Sequence, residues 1–207
     1  MIDIIKEKLG RYGATNALEE ENALKEILQE IALYALWRAD FFDCALFQGG
    51  TSLRILHGLP RFSEDLDFLL RVPNMDFDWS PYLKGMTEVF GQFGLALEAQ
   101  PKPRMDTAIR QALLKDDSIA SQLDLSFAGT GHRKAIKIKL EIDVNPPAGR
   151  QSEAPAVPHP GSSGHHQPDG FQQCWRRRAS LECSRSQISQ VWRCPWYQYR
   201  EKRNHAH

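Results

Sequence analysis

Between residues 24 and 35 the apolar positions follow a helical period. Leu24, Ile27, Leu28, Ile31 and Ala35 recur at 3.6-residue spacing while Glu20, Glu26, Gln29 and Glu30 turn the other way, which predicts a long amphipathic helix over residues 17–38. Asn16, with Glu19 three residues on, is compatible with a capping-box start. The pattern then changes. Cys44 to Phe47 is a short apolar run halted by Gly49 and Gly50 and reads as a buried strand. Thr51 to His57 predicts a short helix that stops at Gly58, before Pro60. Asp65 to Leu70 alternates acidic and apolar residues, the signature of a half-buried strand. Beyond it the pattern predicts a helix over 80–93, a strand over 95–99 and a shorter helix or turn over 108–114. Strands over 123–127 and 135–144 are expected to pair as a hairpin through Gly129-Thr130-Gly131. A leading helix, then strands with helices between them, predicts an α+β domain built on a mixed sheet with flanking helices.

Composition adds a boundary. The 207 residues hold 26 Lys and Arg against 26 Asp and Glu, so the chain cannot grip nucleic acid by bulk charge. No apolar run approaches the roughly 18 residues of a membrane span, and Met1 to Lys6 lacks a signal-peptide layout. Four cysteines form no CxxC, so a soluble cytoplasmic protein is expected. Residues 1–152 carry 18 basic against 22 acidic side chains, whereas 153–207 carry 8 against 4. That last stretch has only Val157, Leu181, Ile188 and Val191 as branched aliphatics, too few to offset its backbone entropy. The expected organisation is a folded unit over 1–150 and a largely disordered or aberrant tail over 151–207.

Three explanations of the tail stand side by side. It is a solvated natural extension, or a zinc site, for which the spacing of Cys174, Cys183 and Cys194 is wrong. The third, favoured here, is a change of reading frame near Gly149–Pro158, which explains the abrupt loss of hydrophobic periodicity. A further reading makes Arg176-Arg177-Arg178, with Trp175 and Trp192, a basic arm for nucleic acid.

Chemistry concentrates between residues 48 and 68. Gln48-Gly49-Gly50-Thr51 places two glycines and a hydroxyl where a strand turns into a helix. Such a turn is an anion nest, with helix N–H groups facing a phosphate, or simply a tight connection. Asp65 and Asp67 are two apart on a strand, so both carboxylates project from one face, about 6–7 Å apart at the backbone. Adjacent carboxylates repel unless a cation bridges them, and oxygen-only ligation favours Mg2+ or Mn2+. The alternative is a solvated strand face. In Lys137-Ile138-Lys139-Leu140-Glu141-Ile142-Asp143 the odd positions share a face. Glu141 and Asp143 are then candidates for a third acid and Lys137 and Lys139 for phosphate neutralisation, unless the face is merely a solvated one. Elsewhere the reading is structural: His57 as a helix-end contact, Tyr34 and Trp37 as core or surface aromatics, Cys44 as a small buried residue.

Taken together, GGT-x-LR, Gly-Leu-Pro-Arg-Phe-Ser, Glu-Asp-Leu-Asp-Phe and the KIKLEIDVNPP strand resemble the AbiEii/AbiGii nucleotidyltransferase toxin family, of the DNA polymerase β-like superfamily. The resemblance runs from about Ala23 to Gly149. It implies a polymerase β-like core, incomplete at the C-terminus, and transfer of a nucleoside monophosphate from an NTP to an acceptor hydroxyl, RNA or tRNA. It implies phosphate binding by Gly49, Gly50 and Thr51, with Arg61 and Ser63 positioning the acidic strand or touching phosphate. Asp65, Asp67 and Glu141 would be catalytic and metal-binding, with Asp143 as substitute. A toxin–antitoxin system, a cognate antitoxin and a role in phage defence are implied as well. Family members continue into a lysine-bearing helical region and an acidic motif that nothing in 150–207 resembles. That departure implies impaired activity. The alternative is a catalytically inactive remnant or binding module that holds antitoxin or NTP without turnover.

Overall fold

The computed structural model describes residues 2–103, 107–126 and 135–146. Met1–Pro146 is one unit, and a second, Pro147–His207, lies outside the described residues together with every expectation for the tail.

Helix α1 (Ile2–Tyr12) precedes α2 (Ala17–Arg38), and the expected bounds of α2 hold to the residue. Asn16 caps α2 by accepting the Glu19 N–H at 3.0 Å, and Glu19 returns a carboxylate to the Thr15 N–H at 2.8 Å. The capping box is thus shifted by one residue on its return arm. The backbone hydrogen bond from Thr15, chiefly, holds the Glu19 carboxyl below its ordinary range. After α2 come α3 (Phe41–Cys44), β1 (Ala45–Gln48), α4 (Gly49–His57) and β2 (Asp65–Leu70). Then follow α5 (Ser80–Gln92), β3 (Glu98–Pro101), β4 (Ile109–Asp116), α6 (Ile119–Gln122) and β5 (Ile136–Asp143).

Among the described residues the sheet has five strands in the order β1-β2-β5-β4-β3. Only β2 and β5 run parallel, side by side at its centre; every other neighbouring pair is antiparallel. One face of the sheet is apolar. Leu66 and Phe68 of β2 and Ile138, Leu140 and Ile142 of β5 are buried, and α2 packs on β5 and α5. Phe41, Phe68, Phe77, Trp79 and Tyr82 form an aromatic cluster in which Phe41 stacks on Trp79 at 5.5 Å and meets Phe68 edge-on at 4.9 Å. No helix among the described residues is long and apolar enough to cross a membrane.

Five expectations change. The strand expected over 95–99 is shifted to Glu98–Pro101, with Leu95 and Leu97 buried ahead of it. The stretch read as a helix or turn over 108–114 is strand β4, because Arg110 and Asp116 are buried alongside Ala112 and Leu114 and complete a period of two. Leu123 ends α6 rather than opening a strand, and β5 finds its antiparallel partner in β4. Gly129 to Gly131 and Phe127 lie outside the described residues. Cys44 closes α3, half-buried, with its thiol on the Phe41 carbonyl at 3.2 Å, so β1 begins one residue later. Lastly, Glu26, Gln29 and Glu30 do not face solvent. Helix α1 and the loop before β2 cover that side of α2, and each buried polar group has a partner, as buried polar groups require.

Candidate active site

The polar face of the sheet is the opposite one, and the register of β2 against β5 decides what stands on it. Asp67 is paired with Glu141 and Asp65 with Lys139. Extending the rows, Gln48 of β1 flanks Asp67, and Gln111 of β4 flanks Glu141. The sequence Gln48, Asp67, Glu141, Gln111 therefore crosses four strands in one line, with strands about 4.8 Å apart. The three expected acids, Asp65, Asp67 and Glu141, are brought together. Asp143 is not: it sits one step beyond Asp67, opposite Leu69, and its carboxylate accepts the Asn145 N–H at 2.9 Å.

Lys139 stands among these acids. Its ammonium lies 2.9 Å from Asp65 Oδ2 and 3.5 Å from Glu141 Oε1. The hydrogen bond to Asp65 is the main reason that its pKa is raised. Asp67 gains no such bond: burial first, then the charges of Asp65 and Glu141, push its carboxyl above the ordinary value. Glu141 also accepts a hydrogen bond from Gln111 Nε2. Lys137, the other lysine expected to meet phosphate, is exposed and pairs across the strands with Lys115.

Gly49 and Gly50 open α4 directly over Asp67. Gly49 has φ of +78°, a conformation that favours glycine, and a Cβ there would overlap Asp67 Oδ2 and lie 2.9 Å from Asp67 Cβ. A Cβ on Gly50 would meet Ser63 Oγ at 3.0 Å. The two glycines thus let a helix N-terminus, whose first N–H groups have no intrahelical acceptor, approach the acidic row. Thr51 is buried and its hydroxyl donates to the Asp65 carbonyl, so the side chain ties α4 to β2. Gly49→Ala is expected to displace the Asp67 carboxylate, costing roughly 1–3 kcal/mol of stability. A shift of that group by even about 1 Å lowers the rate of any chemistry done at the acidic row on the order of a hundredfold. Urea unfolding and an activity assay on the same preparation check both numbers.

The segment between α4 and β2 is held by groups that sequence reasoning gave no role. Arg54 pairs with buried Glu26, donates to the carbonyls of Leu59 and Pro60 at 3.0 Å each, and lies 3.9 Å from the centre of the Phe62 ring. Gln29 Nε2 donates to the Ser63 carbonyl at 2.9 Å, and Lys25 bridges Glu21 and Glu64 at 3.0 Å. Ser63 is therefore fixed beside Gly50, while Arg61 is exposed on the same loop. Glu26 reads from sequence as a solvent-facing residue of α2, so its pairing with Arg54 of α4 has no sequence signal. Gln111 had none, because its strand was read as helical.

Among the described residues no three His, Cys, Asp or Glu side chains converge closely enough to hold a metal ion. The chemistry of the donor set nevertheless fits a hard divalent cation: three carboxylates share one face, and a lysine ammonium stands between two of them. A family model described as the nucleotidyl transferase AbiEii toxin of a type IV toxin–antitoxin system matches residues 31–169, a span that contains every side chain of the acidic row and the glycine turn. Neither a curated protein nor a solved structure matches the chain.

Proposed function

The chain belongs to the AbiEii nucleotidyl transferase toxin family, and from that premise we propose that it moves a nucleoside monophosphate from an NTP onto an RNA, with tRNA the leading acceptor. Family membership brings a nucleotide substrate and an antitoxin partner in general terms. The observation that carries the finer reading is the placement of the Gly49-Gly50 turn against Asp67. It sets phosphate-seeking N–H groups beside the acids that would hold a divalent ion.

In this reading Gly49, Gly50 and Thr51 receive the triphosphate through the start of α4, and Ser63 and Arg61 flank it. Asp65, Asp67 and Glu141 would hold Mg2+ or Mn2+, and Asp143, turned to the Asn145 N–H further along β5, takes no part. The ion would neutralise charge on the phosphate oxygens when bound. The acceptor hydroxyl oxygen bonds to the α-phosphorus, the bond from that phosphorus to the bridging oxygen breaks, and pyrophosphate leaves. The hydroxyl proton passes to water or the acidic row. The protein's contribution is position and electrostatics. Gln111 and the Arg54–Glu26 pair orient the groups that do this work.

Incubating the full chain with labelled NTPs, RNA and Mg2+ tests it. Transfer of label to RNA that Asp65→Ala removes is the expected result. Nucleotide or antitoxin binding with no transfer would instead favour a binding module, a reading that the Lys139 ammonium among the acids makes specific.

A further inference from the structure

Among the described residues, Lys139 is the cation that stands within the acidic row. It belongs to β5, two residues before Glu141 and directly across from Asp65 of β2, so its ammonium links acids that come from different strands. Its side chain is 32% exposed, and a four-carbon stem with three rotatable donors can leave such a position without moving the backbone. Glu141 is held from the other side by Gln111, so the departure of Lys139 would leave that carboxylate in place. Lys139 lies against Asp65 Oδ2 and Glu141 Oε1, oxygens of two of the three carboxylates that the divalent-ion reading offers to the metal. An ammonium and a metal ion cannot share them, because like charges a few ångströms apart repel strongly in a half-buried setting.

We propose that Lys139 is a built-in counter-ion of the acidic row, displaced when a divalent ion binds and thereby freed to meet the phosphates of the incoming nucleotide. The inference rests on the divalent-ion reading above and deepens it. Metal and lysine compete while the site lacks nucleotide. Once a triphosphate is present, the displaced ammonium gains a new anion, so nucleotide and metal strengthen each other's binding. Linkage makes that reinforcement equal in both directions.

The test is Mn2+ binding to the full chain, followed by the electron paramagnetic resonance of the free ion, with and without a non-hydrolysable NTP analogue. Lys139→Met is expected to bind Mn2+ alone about tenfold more tightly than the unaltered chain and to lose most of the tightening that the analogue confers. Equal or weaker Mn2+ binding by the variant overturns the proposal. A second measurement avoids the variant altogether: the acylation rate of Lys139 in the unaltered chain, read by mass spectrometry, should rise several-fold when Mn2+ is added. A rate that Mn2+ leaves unchanged also overturns it. If the unaltered chain binds no Mn2+ at all, with or without analogue, the divalent-ion reading fails and this inference with it. Mn2+ binding that Lys139→Met leaves unchanged defeats the lysine's role alone.

Discussion

Asp67→Asn is expected to lower nucleotidyl transfer by at least about a hundredfold and at the same time to raise the unfolding midpoint of the protein. The two outcomes share one cause. Asp67 is pressed against Gly49 and faces Asp65 and Glu141, and burial with those two charges disfavours its ionised form. Asparagine keeps the shape beside Gly49 and removes the charge, so the fold gains what the site loses. The sign of the pH dependence follows. A carboxyl with a raised folded pKa penalises the fold fully at pH above that value. The penalty lifts as pH falls through it towards the ordinary 3.8, because the folded state takes up the proton first. In chelator-treated protein the stability advantage of Asp67→Asn should therefore be largest near neutrality and shrink on acidification. An advantage that grows as the pH falls would contradict this account. Thermal melts across pH read it directly.

Lys8→Met should be the most damaging single change outside the site, costing about 3–5 kcal/mol, a large part of the stability of a domain this size. Lys8 Nζ lies 2.5 Å from Glu30 Oε2, with side chains only 4% and 9% exposed, and the substitution strips a buried carboxylate of its ammonium partner. Lys8→Met combined with Glu30→Leu should recover most of the loss, since a buried ion pair replaced by apolar groups of similar volume is commonly neutral or better. Urea midpoints of the single and double variants measure the difference. No recovery in the double variant would mean that the damage lies in helix packing instead of the broken ion pair.

How far the sequence revealed this structure depends on the range over which each feature is decided. The α2 bounds, the glycine turn and the Asp65–Leu70 strand are set by neighbours within a few residues: a cap, a φ above zero, an alternation. Those features were legible. β4 was not, because Arg110 and Asp116 occupy its buried face. Arg110 donates to the Met75 carbonyl at 3.0 Å, and Asp116 accepts the Ser118 and Ile119 N–H groups at 2.7 and 2.9 Å. Buried polar residues that bond to backbone carbonyls and N–H groups look like surface residues to any periodicity argument, and the helix-forming composition of Ile109–Asp116 adds to the ambiguity. On the polar side of α2 the hidden partners are mostly side chains, Arg54 for Glu26 and Lys8 for Glu30. In the site, the acids were legible as types and spacing, whereas the Asp67–Glu141 register and the engagement of Lys139 and Gln111 arise only from strand pairing.

The parallel pairing of β2 with β5 also sets when, along a nascent chain, the acidic row is complete. Asp65 and Asp67 leave the ribosome some seventy residues before Glu141, and α5, β3, β4 and α6 are made in between. Until β5 has emerged and slotted between β2 and β4, Asp65 and Asp67 stand without Glu141 beside them. Long-range pairings of this kind form late and slowly. In the proposed reading, synthesis itself therefore delays completion of the acidic row until β5 is made.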